Sequence, residues 1–295
     1  MAEKPTVAIV VDSAASLPVD TKQYPGLYVV PMLLHFGETT YTDGGDYSPT
    51  SFYRTLRCAS EVPTTSAPPP ASYLDAFRRA SEGAQSILCL TVASRFSASF
   101  ASAEAAAKEL HAERPAVEIR VLDSDNAAGA EGLIALESWR AANRGGTLDD
   151  VVAAAETVMP RVRLLAFVDT LRYLWKSGRV PGIAHAGTSI LQIKPLFELF
   201  HGGIKTLARP RTRRRAMTRL LALIRERVES DSRLHATVMH ADDLDSAQEL
   251  LNRIETNHVC DELFISEFSP VLGAHTGPGL LGVAFWSKSV PDVQS

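Results

Sequence analysis

Four short stretches of this sequence carry side chains able to do chemistry. Ser94, Ser97 and Ser99 lie between an apolar run, Ile87-Leu88-Cys89-Leu90-Thr91-Val92, and the alanine-rich stretch Ala101 to Leu110. A serine there can cap a helix by accepting a backbone N–H bond. Hydroxyls and free N–H groups at the positive end of a helix are equally a seat for a carboxylate or phosphate. Both readings stand on these residues. Thr64-Thr65-Ser66 sits in a stretch holding Pro63, Pro68, Pro69 and Pro70, read as a loop from Glu61 to Pro70. Such residues make ordinary turns; stiffened by proline, the same loop can hold a hydroxyl out to a ligand. Arg209, Arg211, Arg213, Arg214 and Arg215 form a basic run. They read as a solvated helix start, as a nucleic-acid contact, or as guanidinium groups aimed at an anion. His275-Thr276-Gly277-Pro278-Gly279 places a histidine in a tight turn, where it serves structure or a site.

Other devices fail their context tests. Gly277-Pro278-Gly279-Leu280-Leu281-Gly282 has GxGxxG spacing. A dinucleotide site needs a helix next and an acidic residue about 20 positions on, and here a strand pattern and a short tail follow. There is no GxxxxGK[ST] loop and no GxSxG nucleophile elbow. Cys58, Cys89 and Cys260 are few and far apart, with no CxxC or HExxH, and His235 and His240 share neither a helix face nor a strand face. No metal, no cofactor and no disulfide framework are expected, and a reducing cytoplasm fits. A net charge of -4, and no aromatic residues among the arginines to stack on bases, argue against a nucleic-acid partner. Hydrophobic residues at 45% against 22% charged suit a soluble globular chain. No apolar run approaches the roughly 18 residues of a membrane span, and Met1 to Pro5 lacks the apolar core of a secretion signal.

The elements that must position these residues alternate. Val7 to Val11, Ile87 to Val92 and Glu118 to Leu122 read as strands. Helices are predicted from Ser48-Pro49 onward with Phe52, Tyr53 and Leu56 inward, then over Tyr73, Leu74 and Phe77, Ala101 to Leu110, Ala127 to Arg140 and Leu148 to Val158. Polar residues recur just after strands, at Asp12-Ser13, Ser94 to Ser97 and Asp123-Ser124, where parallel sheets bind ligands. The second half predicts a strand over Arg163 to Val168, a short helix through Trp175, a hairpin at Gly202-Gly203, and a long helix from Thr212 to Val228. Strand, helix and strand follow over His235 to Met239, Asp243 to Ile254 and Leu263 to Phe268, and a last strand from Leu280 to Trp286. The expected fold class is α/β in two domains. Residues 1–159 form an N-terminal domain with a mostly parallel sheet, and residues 160–295 a C-terminal α+β domain, divided near Met159-Pro160.

Taken in order, these pieces resemble the DegV family, the bacterial fatty-acid-binding proteins. The resemblance rests on Val10-Val11-Asp12-Ser13, Pro63-Thr64-Thr65-Ser66, Ser94 to Ala103, Leu122-Asp123-Ser124, Asp169-Thr170-Leu171 through Ser177-Gly178-Arg179, Ile193-Lys194-Pro195, Arg211-Thr212 and His275 to Gly279, covering nearly the whole chain. It implies a two-domain, DegV-like fold that buries a long-chain fatty acid. It implies no catalysis of its own, but the role of lipid-presenting subunit in a bacterial fatty acid kinase. A separate ATP-dependent kinase subunit of the dihydroxyacetone-kinase type phosphorylates the bound carboxylate, and the acyl phosphate passes to phospholipid synthesis, with transient contact at a membrane surface. Carried over by motif, Thr65, Ser97 and the Ala98 backbone hold the carboxylate, and Arg179, Arg211 and His275 lie near the head group or its phosphate. Two positions depart from the pattern: Ala98-Ser99 stands where Gly-Thr is usual, and Ala67 where glutamine is usual. An alanine at 98 is strained if that turn needs positive φ. The rival expectation is an acyl- or phosphate-transferring enzyme that pairs Ser97 with His275.

Overall fold

The computed structural model describes residues 6–18, 21–45, 47–179, 193–228 and 232–288. Strand β1 (Val7–Asp12) is the β-branched run expected to be covered on both faces, and all six of its residues are buried. After it come β2 (Leu27–Val30), β3 (Leu33–Phe36), β4 (Thr39–Thr42), α1 (Pro49–Cys58), β5 (Thr64–Ser66), α2 (Pro70–Ser81), β6 (Ser86–Thr91) and α3 (Ser99–Glu113). Then follow β7 (Glu118–Asp123), α4 (Gly129–Asn143), α5 (Leu148–Val158), β8 (Arg163–Phe167), α6 (Arg172–Ser177), β9 (Leu196–Phe200) and β10 (Gly203–Ala208). The chain continues through α7 (Arg213–Arg227), β11 (Arg233–His240), α8 (Leu244–Asn257), β12 (Cys260–Glu267), α9 (Pro270–Thr276) and β13 (Leu281–Lys288). This is the mixed α/β architecture that the alternating pattern predicts.

Three sheets organise these elements. The first, in the order β2-β1-β6-β7, is parallel throughout. Strand β1 hands on to β2 on one side and has β6 on its other, so the winding reverses between β1 and β6. A crevice opens at the carboxyl ends of strands at such a reversal. The second, β10-β9-β8-β13-β11-β12, is antiparallel except where β11 meets β12. Its β9–β10 hairpin turns at His201-Gly202, both with positive φ. The third, β4-β3-β5, is small and antiparallel.

The structure departs from the sequence reading in three places. The apolar run from Leu27 to Phe36 divides at Pro31, whose missing N–H cannot serve a ladder; β2 joins the parallel sheet and β3 the small one. The proline-rich segment is not all loop: Thr64 to Ser66 pair with His35 to Leu33. His275 is not in a tight turn but in the last turn of α9, whose Ser269-Pro270 start repeats the Ser48-Pro49 signal. The turn comes at Gly277, φ +73°, where a Cβ would run into the Tyr173 ring.

Helix α4 lies between the two large sheets and packs on β1 and β6 as well as β11 and β13. Its Leu133, Ile134 and Leu136 are fully buried, while Glu137 and Arg140 on the same helix pair with each other at 3.1 Å. Gly129 opens it close against the second sheet, with its N–H 3.2 Å from Met239 Sδ. On β13, Leu281, Val283 and Phe285 face α7 and α8, while Ala284 and Trp286 face the α4 side, the two-residue period of a strand covered on both faces. Helix α9 is fastened by Tyr53, whose buried hydroxyl donates to the Phe268 carbonyl at 2.9 Å. Tyr53→Phe should lower stability by about 1–3 kcal/mol, the penalty for leaving that carbonyl unpaired. The readout is a lower urea midpoint at unchanged slope.

Candidate functional site

The crevice between β1 and β6 opens into a cavity of about 170 Å³, between the parallel sheet and one face of the second. The walls are apolar. Ala14 and Val92 come from the strand ends, and Ala127 and Ala128 from the entry to α4. Leu164, Ala166 and Val168 come from alternate positions in and just after β8, and Phe197 and Leu199 from β9.

The main polar side chains of the lining are Thr65, Ser97, Arg179 and His275. They meet through long-range contacts. His275 Nε2 is 2.7 Å from Thr65 Oγ1, a pair 210 residues apart in the chain. His275 Nδ1 is 3.5 Å from Arg179 Nη1, and Arg179 Nε donates to the Phe96 carbonyl at 3.0 Å, next to Ser97. The proton positions follow from donor and acceptor chemistry. Guanidinium can only donate, so Nδ1 accepts and the ring proton sits on Nε2, which donates to Thr65. The Thr65 O–H is then left to donate into the cavity. Burial, reinforced by the Arg179 charge, pushes the His275 pKa down to about 3, so the ring is neutral. Desolvation also lowers the half-buried Arg179 guanidinium from its usual range.

Ser97 Oγ accepts the Ser99 N–H at 3.2 Å and lies 3.0 Å from Ser99 Oγ. The cap itself is Ala98, which makes no side-chain cap bond. Ala98 is exposed and absent from the cavity lining, and its N–H finds no acceptor among the described residues. Its φ is -81°, so the alanine standing where glycine is usual carries no backbone strain. Arg211 is exposed, two residues ahead of α7, and does not line the cavity. Its neighbour Arg213 instead joins Asp169 Oδ1 at 2.7 Å and the Gly279 carbonyl at 2.8 Å. The structure thus brings Thr65, Ser97, Arg179 and His275 to one cavity end and leaves Arg211 apart. Ser97 and His275 are not hydrogen-bonded to each other, and Nδ1 of the imidazole faces a cation rather than a carboxylate. The relay of a serine hydrolase is not formed by these side chains.

A second pocket adjoins this cluster, lined by Thr64, Lys176, Ser177, Arg179 and His275 with Glu61, Val62 and Pro63. Arg179 and His275 are shared by both spaces. Lys176 was not singled out from the sequence, and nothing local to α6 marks it. Among the described residues no group of three or more His, Cys, Asp or Glu side chains could hold a metal ion.

The depressed pKa of His275 has a consequence for stability. The unfolded ring takes up a proton below about 6.5, whereas the folded ring stays neutral to about 3. Its contribution is therefore complete above pH 6.5 and is lost as pH falls through that window. At pH 5 the loss is about 2 kcal/mol. His275→Gln should flatten the fall in urea midpoint between pH 7.5 and 5; an unchanged slope would contradict the buried neutral ring.

Residues 6–288 match the family model described as "Uncharacterised protein, DegV family". A DegV domain-containing protein of Streptomyces coelicolor is 34% identical over 284 residues, spanning 96% of this chain and 99% of that one. A solved fatty-acid-binding protein of the same family from Thermus thermophilus superposes with a TM-score of 0.87 at 28% identity, covering 96% of this chain and 99% of its own. DegV of Bacillus subtilis, described as a fatty acid binding protein, superposes with a TM-score of 0.84 at 27% identity, covering 96% and 100%.

Proposed function

The chain belongs to the DegV family, and from that premise we propose that it holds a long-chain fatty acid and presents the carboxylate to a separate ATP-dependent kinase subunit. The observation that carries the reading is an apolar cavity whose polar lining converges on Thr65, Ser97, Arg179 and His275. Solved relatives that bind fatty acids at 27–28% identity support it. The acyl tail occupies the apolar length. Burying about fifteen methylenes at ~0.8 kcal/mol each contributes on the order of 10 kcal/mol before ordering costs. The carboxylate receives hydrogen bonds from the Thr65 and Ser97 hydroxyls at the cavity end, and the Ala98 N–H, exposed at the N-terminus of α3 outside the lining, is a further donor to an oxygen that protrudes from it. Neutral donors leave its oxygens nucleophilic. A bidentate arginine clamp would hold it more tightly and blunt it.

The second pocket, with Lys176 and Arg179, is where a phosphoryl donor approaches and where the phosphate of the product sits. The chemistry belongs to the partner, of the dihydroxyacetone-kinase type, and the acyl phosphate is consumed in phospholipid synthesis, with transient contact at a membrane surface. In this reading Arg211, on the exterior, meets the partner rather than the lipid. We divide the chain into domains at 159/160, with the lipid between the two large sheets, and assign it to the cytoplasm. Native mass spectrometry of the purified protein tests the central claim. A co-purifying mass of a long-chain fatty acid, lost on denaturation, is expected; a protein that carries none and takes up none from added palmitate would reject it.

A further inference from the structure

Two adjacent residues at the end of β1 reach both arms of the carboxylate site. Asp12 is fully buried. Its Oδ2 accepts the Val92 N–H at 3.0 Å and its Oδ1 the Ala14 N–H at 3.0 Å. Ser13 Oγ accepts the Met32 N–H at 3.0 Å and donates to Asp43 Oδ2 at 2.6 Å. The other oxygen of Asp43 takes the Val271 N–H at 3.4 Å, in the first turn of α9. Val92, Ala14, Met32 and Val271 all line the lipid cavity. Val92 begins the loop that carries Ser97, and Val271 lies in the first turn of the helix that carries His275.

We propose that Asp12 and Ser13 are positioning residues for the carboxylate site: Asp12 sets the Ser97 loop, Ser13 sets the His275 helix through Asp43, and the charge on Asp12 tunes the grip on the lipid head group. This rests on the fatty-acid reading above and adds to it a control of that site. A buried carboxylate is held against its own desolvation, and burial raises the Asp12 pKa to about 6. The groups facing it from the surrounding elements are few. Ser99 on α3 favours its charged form, and the Tyr73 hydroxyl on α2 is buried without a hydrogen-bond partner among the described residues. Cys89 on β6 and Glu131 on α4 are themselves pushed well up, first by burial and then by Asp12. Below pH 6 Asp12 takes up a proton, the oxygen that carries it is a poorer acceptor, and its hold on the loop slackens.

Palmitate binding to the full chain, measured by calorimetry from pH 8 to 5, tests this. Wild type should bind about tenfold more weakly at pH 5 than at pH 7.5, with an inflection near 6. Asp12→Asn should be about tenfold weaker at pH 7.5 and lack that inflection. Ser13→Ala, which removes the link from Met32 to Asp43, should bind about tenfold more weakly at pH 7.5 and keep the inflection. Wild-type affinity and profile in either Asp12→Asn or Ser13→Ala overturns the inference while leaving lipid binding intact. If Asp12→Asn does not fold, the wild-type profile and Ser13→Ala decide: a profile without an inflection, or an unweakened Ser13→Ala, overturns it. Wild type that binds no palmitate at any pH overturns the fatty-acid reading and this inference together.

Discussion

Ala166→Phe is expected to empty the protein of lipid. Ala166 is buried in the middle of β8, between β13 and β9, and lines the cavity. Its cross-strand neighbour Gly282 offers no side chain to compete for the space. A benzyl group there fills the volume that the methylenes of the tail would occupy. Since the tail supplies on the order of 10 kcal/mol and each head-group hydrogen bond only about 1 kcal/mol net, no polar contact can compensate. Overpacking itself should cost no more than about 1–3 kcal/mol, so the variant should fold. Wild type should gain about 2.7 kcal/mol of apparent stability at a hundredfold excess of fatty acid over Kd. The variant should gain none. A palmitate-dependent rise in Tm equal to wild type would place the tail elsewhere.

Thr65→Val should separate holding from presenting. Valine keeps the shape of threonine but removes the hydroxyl that accepts from His275 Nε2 and that, in the function proposed above, donates to the carboxylate. Retention depends chiefly on the tail, so affinity should fall less than tenfold. Orientation depends on the hydroxyl, and a reacting oxygen displaced by about 1 Å can forfeit ~100-fold in rate. Acyl-phosphate formation with the kinase subunit should therefore drop about a hundredfold while lipid still co-purifies. Ser97→Ala should act in the same direction. Undiminished turnover in both variants, each loaded with lipid, would remove these hydroxyls from the site.

Local signals were read well where the physics is local. Ser48-Pro49 starts α1 with the cap bond that the pair implies, and Gly202 turns the β9–β10 hairpin. Strand β5 was hidden because three residues among prolines have no periodicity; their strand character comes from β3, thirty positions away. Helix α9 was hidden because His275 to Gly279 reads as a turn when only its glycines are weighed. The cavity was hidden for a related reason. Both faces of β8 are apolar, so the sequence marks a buried strand but cannot say that Leu164, Ala166 and Val168 face a space while Leu165 and Phe167 face a packed core. The meeting of Thr65 with His275 spans 210 residues, and only likeness to a family brought those two together beforehand. Asp43 escaped altogether: a lone aspartate beside Gly44-Gly45 looks like turn chemistry, and its work is done on α9.

The placement of α4 constrains how the proposed cargo would get in. Leu133 and Ile134 belong to one continuous core that reaches both Ile9 of the parallel sheet and Ala284 of the other. A clamshell motion that swung the sheets apart would strip this helix, at roughly 1.5–3 kcal/mol for each large aliphatic side chain laid bare. The scaffold is therefore built as a fixed vise rather than a hinge, and on the lipid-binding reading proposed above a hydrocarbon is exchanged through rearrangement at the rim, leaving the jaws shut.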